Sequence, residues 1–324
     1  MKLLFTSVGR RVELIQAFRN GANKLNVNLQ IYGADITDSA PALQFCDHKV
    51  IVPPIKSKDY VETLQRICRE NEIDGLIPTI DTDLAVLSKN RMNFGDTKVI
   101  ISDIDKICIC RDKKKTDAYF RSLGLMSPKA VDDWKNYDLS YPAFIKPKDG
   151  SSSVLAYKIN NREELKSFAE QIPEYIVQPF IDGTEYTVDI LCDFIGNPIF
   201  ITPRIRLAVR AGEVLKTKIV QDQTIINEIR QLLQKYKPCG PITVQLIREK
   251  KSGIDYFIEI NPRFGGGAPL SIKAGADSAL ALIKLLEGAT LNYADSAAQN
   301  GLIFSRFDQS VCVNGEDFEH EDNK

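Results

Sequence analysis

The chain has 324 residues, 44% hydrophobic and 26% charged, with a formal net charge of −1; at roughly 100 to 200 residues per folding unit, two or three domains with sizeable cores are expected. Balanced charge gives no basic field to gather nucleic acid or an anionic membrane, and no segment approaches the roughly 18 apolar residues of a membrane span. Seven scattered cysteines without C-x-x-C spacing and only two histidines speak against zinc and against a disulfide framework; with no apolar signal-peptide core near the start, the cytoplasm is the expected compartment.

"KLLFTSVGRRVELIQAFRNGA" reads as strand, loop and helix, because a compact apolar run turns at Ser7 and Gly9 and continues with Val12, Ile15 and Phe18 at helical spacing. "LQIYGADI" follows as a strand, "DYVETLQRICRENEI" as a helix, and "DGLIPTI" and "TKVIISD" as further strands. Alternating β and α over the first hundred residues predicts a small parallel sheet, a Rossmann-like α/β domain. From 104 to 124 the pattern is helical, with Asp112 placed to cap "KKKTDAYFRSLG" and Gly124 to end it, and the first domain should end just before it. Beyond Pro128 come short strands joined by tight loops, the helices "NREELKSFAEQI" and "TIINEIRQLLQKYK", and two strands around the turn 251–253. No internal repeat is visible, and the acidic tail "NGEDFEHEDNK" is expected to be mobile.

The segment "FIEINPRFGGGAPL" carries the densest chemistry. Alternation puts Phe257, Glu259 and Asn261 on one face of a strand and Tyr256, Ile258 and Ile260 on the other, apolar face. A three-residue turn with Gly253 in the left-handed region pairs position 250 with 254 and sets Gln245 opposite Glu259. One carboxylate and two amide oxygens suit Mg²⁺, which takes its remaining ligands from water and phosphate, so such a site implies a nucleotide. Arg263 and three glycines follow directly, a guanidinium for oxyanions and bare backbone for close approach.

Upstream, "FIKPKDGSSSVLAYKI" places Lys146 in a strand and Asp149, Gly150, Ser151, Ser152 and Ser153 in the loop after it, suited to cover phosphates with backbone amides and hydroxyls; a plain flexible hairpin is the competing reading. Neither G-x-x-x-x-G-K-[ST] nor G-x-G-x-x-G occurs. "IVQPFIDGTEYTVDI" supplies Gln178 and Glu185 around an apolar connection whose backbone could read adenine. Arg204, Arg206, Arg210, Lys216 and Lys218 form a basic stretch that fits an anion site or a solvated loop.

With these residues assembled, the chain resembles the ATP-grasp superfamily over nearly its whole length, most closely the single-unit members similar to carbamoyl phosphate synthase. "GPITVQL...FIEINPRFGGG" is the most specific block. The resemblance implies a pre-ATP-grasp domain at 1–105, a small lobe at 106–180, a large lobe at 181–312 and the tail at 313–324. Carried over by position, Lys113 and Lys146 would touch ATP phosphates and the adenine side of the cleft, Gly150 to Ser153 would form the phosphate loop, and Gln178, Phe180 and Ile181 would read adenine. Glu185 would hold ribose, Arg210 would lie on the phosphate side, Gln245, Glu259 and Asn261 would bind Mg²⁺ or Mn²⁺, and Arg263 would face the transferred phosphoryl group.

The implied activity is carboxylate–amine ligation: ATP phosphorylates a carboxylate and an amine displaces the phosphate, chemistry that needs charge neutralisation and no protein nucleophile. Arg206 or Lys218 would hold the carboxylate of an amino-acid acceptor; the acyl substrate would be a small carboxylate or a sugar-nucleotide uronate, and a homodimer is compatible. A single unit without a repeat excludes full carbamoyl phosphate synthesis. Expected to line the far side of the cleft are the "FGGGAP" glycines, and Arg10 or Arg11 of "SVGRR" offers a further anion contact. The alternatives are a non-catalytic ATP-binding regulatory or partner module and, without its glycine fingerprint, an NAD-dependent oxidoreductase.

Overall fold

The computed structural model describes residues 1–149 and 155–313. The first part runs β1 (Lys2–Thr6), α1 (Val12–Leu25), β2 (Gln30–Asp35), β3 (His48–Ile51), α2 (Tyr60–Asn71), β4 (Gly75–Pro78), α3 (Asp81–Asn90) and β5 (Lys98–Val99). Its strands make a parallel sheet in the order β3-β2-β1-β4-β5, as the alternating pattern predicts. Strand β3 and helix α3 escape the sequence reading. The first is an edge strand with no fully buried residue, so burial imposes no alternation on it; the second is a short helix with aspartates in its first turn and a weak apolar stripe.

Helices α4 (Ile104–Cys110) and α5 (Lys113–Ser122) lead into the second part. Asp112 caps α5 by accepting from the Lys114 and Lys115 N–H groups at 2.9 and 3.2 Å, and Gly124 follows the helix at φ +77°. β6 (Ala143–Pro147), β7 (Tyr157–Ile159), α6 (Arg162–Ala169) and β8 (Tyr175–Pro179) build a three-stranded antiparallel sheet, β7-β6-β8, with α6 on its core.

β9 (Gly183–Cys192), β10 (Pro198–Arg210), β11 (Glu213–Ile219), α7 (Gln223–Tyr236), β12 (Pro241–Glu249), β13 (Asp255–Asn261), α8 (Ala268–Lys273), α9 (Ser278–Leu286) and β14 (Ile303–Ser305) complete the described chain. The strands form an antiparallel sheet, β13-β12-β9-β10-β11-β14, one face of which buries α5 and α7 through Phe120, Ile226, Ile229, Leu233, Val244, Leu246 and Phe257. Its other face carries polar side chains and lines the clefts described below.

Helices α8 and α9 turn back onto the first sheet. Phe264, Ala268, Ala279, Leu282 and Ile283 share a core with Leu3, Phe5, Ile15 and Phe18, and a Cβ on Gly21 would stand 3.0 Å from the Leu280 nitrogen. The sequence gives no sign of this return, because the apolar stripe of α9 does not say which sheet it covers. Its consequence is positional: the glycine run before α8 is held between the two larger sheets.

Candidate active site

Register across the large sheet sets the site. Arg204 of β10 stands opposite Thr187 of β9, Thr187 opposite Gln245 of β12, and Gln245 opposite Glu259 of β13. Directly opposed residues point to one face, so a row of four side chains crosses the sheet. The next row brings Thr202, Asp189, Thr243 and Asn261 into line. The expected opposition of Gln245 and Glu259 is present, but the route to it differs. Glu249 pairs with Ile254 around a longer turn, with Gly253 at φ +73°, and a bulge between Gln245 and Leu246 on one side, with Ile258 extra on the other, restores the pairing. That bulge overturns the simple alternation: Phe257 is fully buried in the core with Ile260, while Ile258 lines a cleft beside Glu259.

That cleft is a cavity of about 500 Å³ between the small sheet and the large one. Phe144, Phe180, Ile181, Tyr186, Ile247 and Ile258 give it apolar walls, and Lys113, Lys146, Gln178, Glu185, Arg206, Gln245 and Glu259 its polar ones. The Lys113 N–H donates to the Lys148 carbonyl at 3.2 Å, which fastens the start of α5 to the end of β6 and puts both lysines on the same cavity. Lys146 is only 8% exposed. Burial, with repulsion from Lys113 against attraction from Glu259, lowers its ammonium to about 8; burial lowers Lys113 too. The Phe180 N–H is committed to the Pro142 carbonyl at 3.1 Å.

A second cavity of about 310 Å³ shares Arg206, Gly212, Gln245 and Glu259 with the first. Its far walls are Arg11 and residues 80–82 from the first domain, Arg204, Glu213, Thr243, Asn261 and Arg263 from the large sheet and its margin, and Gly265, Gly266 and Gly267. Arg263 donates to Asp81 at 2.5 Å and to the Phe264 carbonyl at 3.1 Å. Arg11 lies 3.7 Å from Glu213, and burial, then the neighbouring Arg263 charge, lower its guanidinium pKa. Two of the glycines make room for these side chains: a Cβ on Gly266 would meet Glu213 Oε2 at 2.1 Å and one on Gly267 would meet Arg204 Nη2 at 2.4 Å, so that either side chain would have to shift.

Two family models match the chain, a PylC-like N-terminal domain over residues 3–102 and an ATP-grasp domain over residues 110–267. The chain belongs to the ATP-grasp superfamily. Among curated relatives of this ATP-grasp protein, D-alanine–D-alanine ligase B of Clostridium perfringens is 22% identical over 249 residues, 66% of this chain and 82% of that one. The carbamoyl phosphate synthase large chain of Thermoplasma volcanium is 24% identical over 276 residues, 75% of this chain but only 26% of its own length. Among solved structures, the biotin carboxylase domain of Hydrogenobacter thermophilus 2-oxoglutarate carboxylase superposes with a TM-score of 0.73 at 14% identity, covering 93% of this chain and 73% of that one. The α/β first domain and two-lobed ATP-grasp fold are those read from the sequence, and the chain is an ADP-forming ligase of this superfamily. No helix among the described residues is long and apolar enough to cross a membrane.

The ATP-grasp cleft gathers most of the residues expected of it and releases two. Lys218 pairs with Ile205, on the face that packs toward α7, whereas Arg206 and Thr217 occupy the cleft face; one residue along a strand reverses the side chain, so Lys218 does not reach the cavity. Arg210 lies at the exposed end of β10, bound to Asp308 at 2.6 Å and outside both cavities. Gly150, Ser151, Ser152 and Ser153 lie outside the described residues, as does the tail from 314 onward. Arg11, not the exposed Arg10, faces the second cavity. Sequence reasoning missed Asp81, Thr82 and Glu213; the only signal for Asp81 and Thr82 is their place just after the strand "GLIP", where a parallel sheet presents its ligands.

The donor set fits Mg²⁺. Glu259 brings the one full negative charge, and Asn261 Nδ2 donates to Glu259 Oε1 at 2.8 Å, which commits the amide nitrogen and leaves its oxygen as donor. With Gln245 opposite, these side chains would offer Mg²⁺ hard oxygen ligands and leave positions for phosphate and water; no cluster of three or more His, Cys, Asp or Glu side chains that could hold a metal occurs among the described residues.

Proposed function

We propose that this ligase joins a small carboxylate to the amine of an amino acid or a similar amine, with ADP and phosphate as products. The observation that carries the reading is the shared wall: two cavities, about 500 and 310 Å³, meet at Arg206, Gln245 and Glu259. The larger has the size and the mixed lining of a nucleotide site. ATP would lie with adenine among Phe144, Phe180, Ile181 and Ile258, ribose at Glu185, and phosphates toward Lys113 and Lys146. Because the Phe180 N–H is occupied, the adenine edge falls to the main chain beyond it.

Mg²⁺ held by Gln245, Glu259 and Asn261 would neutralise charge on the phosphoryl group in flight. The chain's own part is to orient and to neutralise. A carboxylate oxygen in the second cavity attacks the γ-phosphorus, the β,γ P–O bond breaks, and ADP leaves with the electron pair. The amine nitrogen then attacks the acyl carbon, the C–N bond forms, phosphate departs with the C–O pair, and the nitrogen gives up a proton. Arg263, steadied by Asp81, and Arg206 sit where both anions are handled.

About 310 Å³ favours small substrates over the uronate of a sugar nucleotide, whose nucleotide alone is of the size assigned to the first cavity. The likeness to a D-alanine–D-alanine ligase supports an amino-acid acceptor. The test is ADP release with pooled amino acids and small carboxylates carrying ¹⁸O in their carboxylates. Substrate-dependent ADP with ¹⁸O in the phosphate is expected; ATP binding without such turnover would favour the non-catalytic module.

A further inference from the structure

Four guanidiniums line the second cavity, and three have a carboxylate on the cavity or cleft wall: Arg263 with Asp81, Arg11 with Glu213, and Arg206 with Glu185 at 3.4 Å. Arg204 differs. It is 2% exposed, and its carboxylate partner, Asp189, does not line that cavity. Arg204 Nε donates to Asp189 Oδ2 at 2.7 Å, and the same oxygen accepts from Ser271 Oγ at 2.6 Å. These bonds fix the guanidinium from its Nε edge and leave its terminal nitrogens forward. Among the described residues, Arg206 and Arg263 each bury an Nε without a hydrogen-bond partner, whereas in Arg204 the buried nitrogen without one is the terminal Nη1.

A buried donor on a charged group without an acceptor is costly, and a ligand anion relieves that cost. The glycine loop keeps the place open. The Gly267 Cα stands so close that a Cβ there would lie 2.4 and 2.9 Å from Arg204 Nη2 and Nη1, and Gly267 has φ −95°, so it is the approach of the guanidinium, not backbone strain, that demands glycine. Register puts Arg204, Thr187, Gln245 and Glu259 in one row. Three strand spacings, roughly 14 Å, separate the backbones at its ends, a span that an inward-reaching arginine, a small substrate and a metal-bound phosphate fill together.

We propose that Arg204 anchors a substrate carboxylate that is not phosphorylated, the α-carboxylate of an amino-acid acceptor, and so selects free amino acids over amines that lack this group. The assignment rests on the ligase reading and deepens it. Arg204 holds the non-reacting end of the acceptor while Arg263 and the metal ligands serve the reacting end, which keeps two anions of one cavity apart.

With a fixed pool of small carboxylates present in every arm as acyl substrate, the experiment compares the added ADP release driven by a pool of free amino acids with that driven by their carboxamides, in the wild type, Arg204→Lys and Gly267→Ala, with KM for ATP measured alongside. Arg204→Lys keeps a charge for Asp189 and loses the fork; Gly267→Ala leaves Arg204 in place chemically and displaces its guanidinium, so it tests the idea even if the lysine variant fails to fold. The wild type should prefer acids to carboxamides by about 10²-fold in kcat/KM, the scale of a lost buried charge contact. In Gly267→Ala that preference should collapse while KM for ATP stays within about twofold. Equal use of acids and carboxamides by the wild type, no response to either pool, preference retained in Gly267→Ala, or a raised KM for ATP in that variant would each overturn the assignment. A wild type that binds no ATP would instead remove the ligase reading beneath it.

Discussion

The two cavities of this ATP-grasp protein are built in different ways. The larger draws its walls from stretches that each read locally: a strand bearing Lys146, a linker through Phe180, and a hairpin carrying Gln245 and Glu259. The smaller is assembled from the start of α1, the start of α3, the β10–β11 hairpin and the glycine run, places up to 256 positions apart from Arg11 to Gly267. One is a pocket of adjacent strands and the other a seam between domains, closed because α8 and α9 pack against the first sheet. The proposed nucleotide site shares only Arg206, Gly212, Gln245 and Glu259 with the seam, so substitutions elsewhere in the seam leave its lining residues unchanged.

The largest effect should come from the shared wall. Glu259→Gln keeps the size of the side chain and a partner for Asn261, but removes the only formal negative charge of the metal set. Substrate-dependent ADP release should fall at least 10²- to 10³-fold, with the melting temperature nearly unchanged. If turnover survived, the two cavities would not meet at a metal. Asp81→Asn strikes the seam alone. Arg263 loses its 2.5 Å carboxylate partner and its aim, so kcat should fall about 10- to 10²-fold while KM for ATP stays within about twofold. A matching rise in KM for ATP would show that the cavities are not separable.

The same division explains how much could be read from the chain. Gln245, Glu259 and Asn261 are legible because a hairpin turn fixes cross-strand partners over a short separation, and Lys146 and Gln178 because neighbouring strands carry them. Even there the bulge at Ile258 is silent: "YFIEIN" alternates cleanly, yet Phe257 and Glu259, two apart, face opposite sides. Asp81 and Glu213 are illegible for another reason. Nothing local distinguishes a carboxylate that meets Arg263 182 positions away from a solvated one, since only the docking of two domains decides it. Lys218 is illegible because a basic stretch reads as one group in the sequence, whereas strand geometry splits it between faces.

Lys146 separates the cavities by pH. Its ammonium titrates at about 8 in the free protein, below the ordinary 10.5, so the unfolded chain binds more protons between those values. This group's contribution to stability therefore rises with pH from about 8 toward 10.5, as a buried charge is relieved. Nucleotide binding should have the opposite slope. Triphosphate favours charged Lys146, so above about pH 8 the Lys146 amine must take up a proton when ATP binds, and the affinity should fall by up to tenfold per pH unit. Lys113, lowered for the same reason, adds in the same direction. Titrating ATP against Lys146→Gln should give a weaker but flatter profile; an unchanged pH dependence would clear Lys146 of the phosphate role.

The smallest effects are expected where the basic stretch faces away from both cavities. Lys218 stands across from Ile205 at the side of the sheet opposite Arg206, and Arg210 is exposed and paired with Asp308. Long-range attraction for a triphosphate from an exposed charge is screened within about 10 Å at ordinary salt, so neither should add much by proximity alone. Lys218→Ala and Arg210→Ala should each leave kcat/KM within about twofold of the wild type, while Arg206→Ala, on the cleft face of β10, should lower it strongly. A loss in either outer variant comparable to that of Arg206→Ala would mean that the β10–β11 hairpin folds over the cleft during turnover and brings its far end to the substrate. The contrast among three cations of one hairpin thus measures whether the seam is a fixed wall or a moving one.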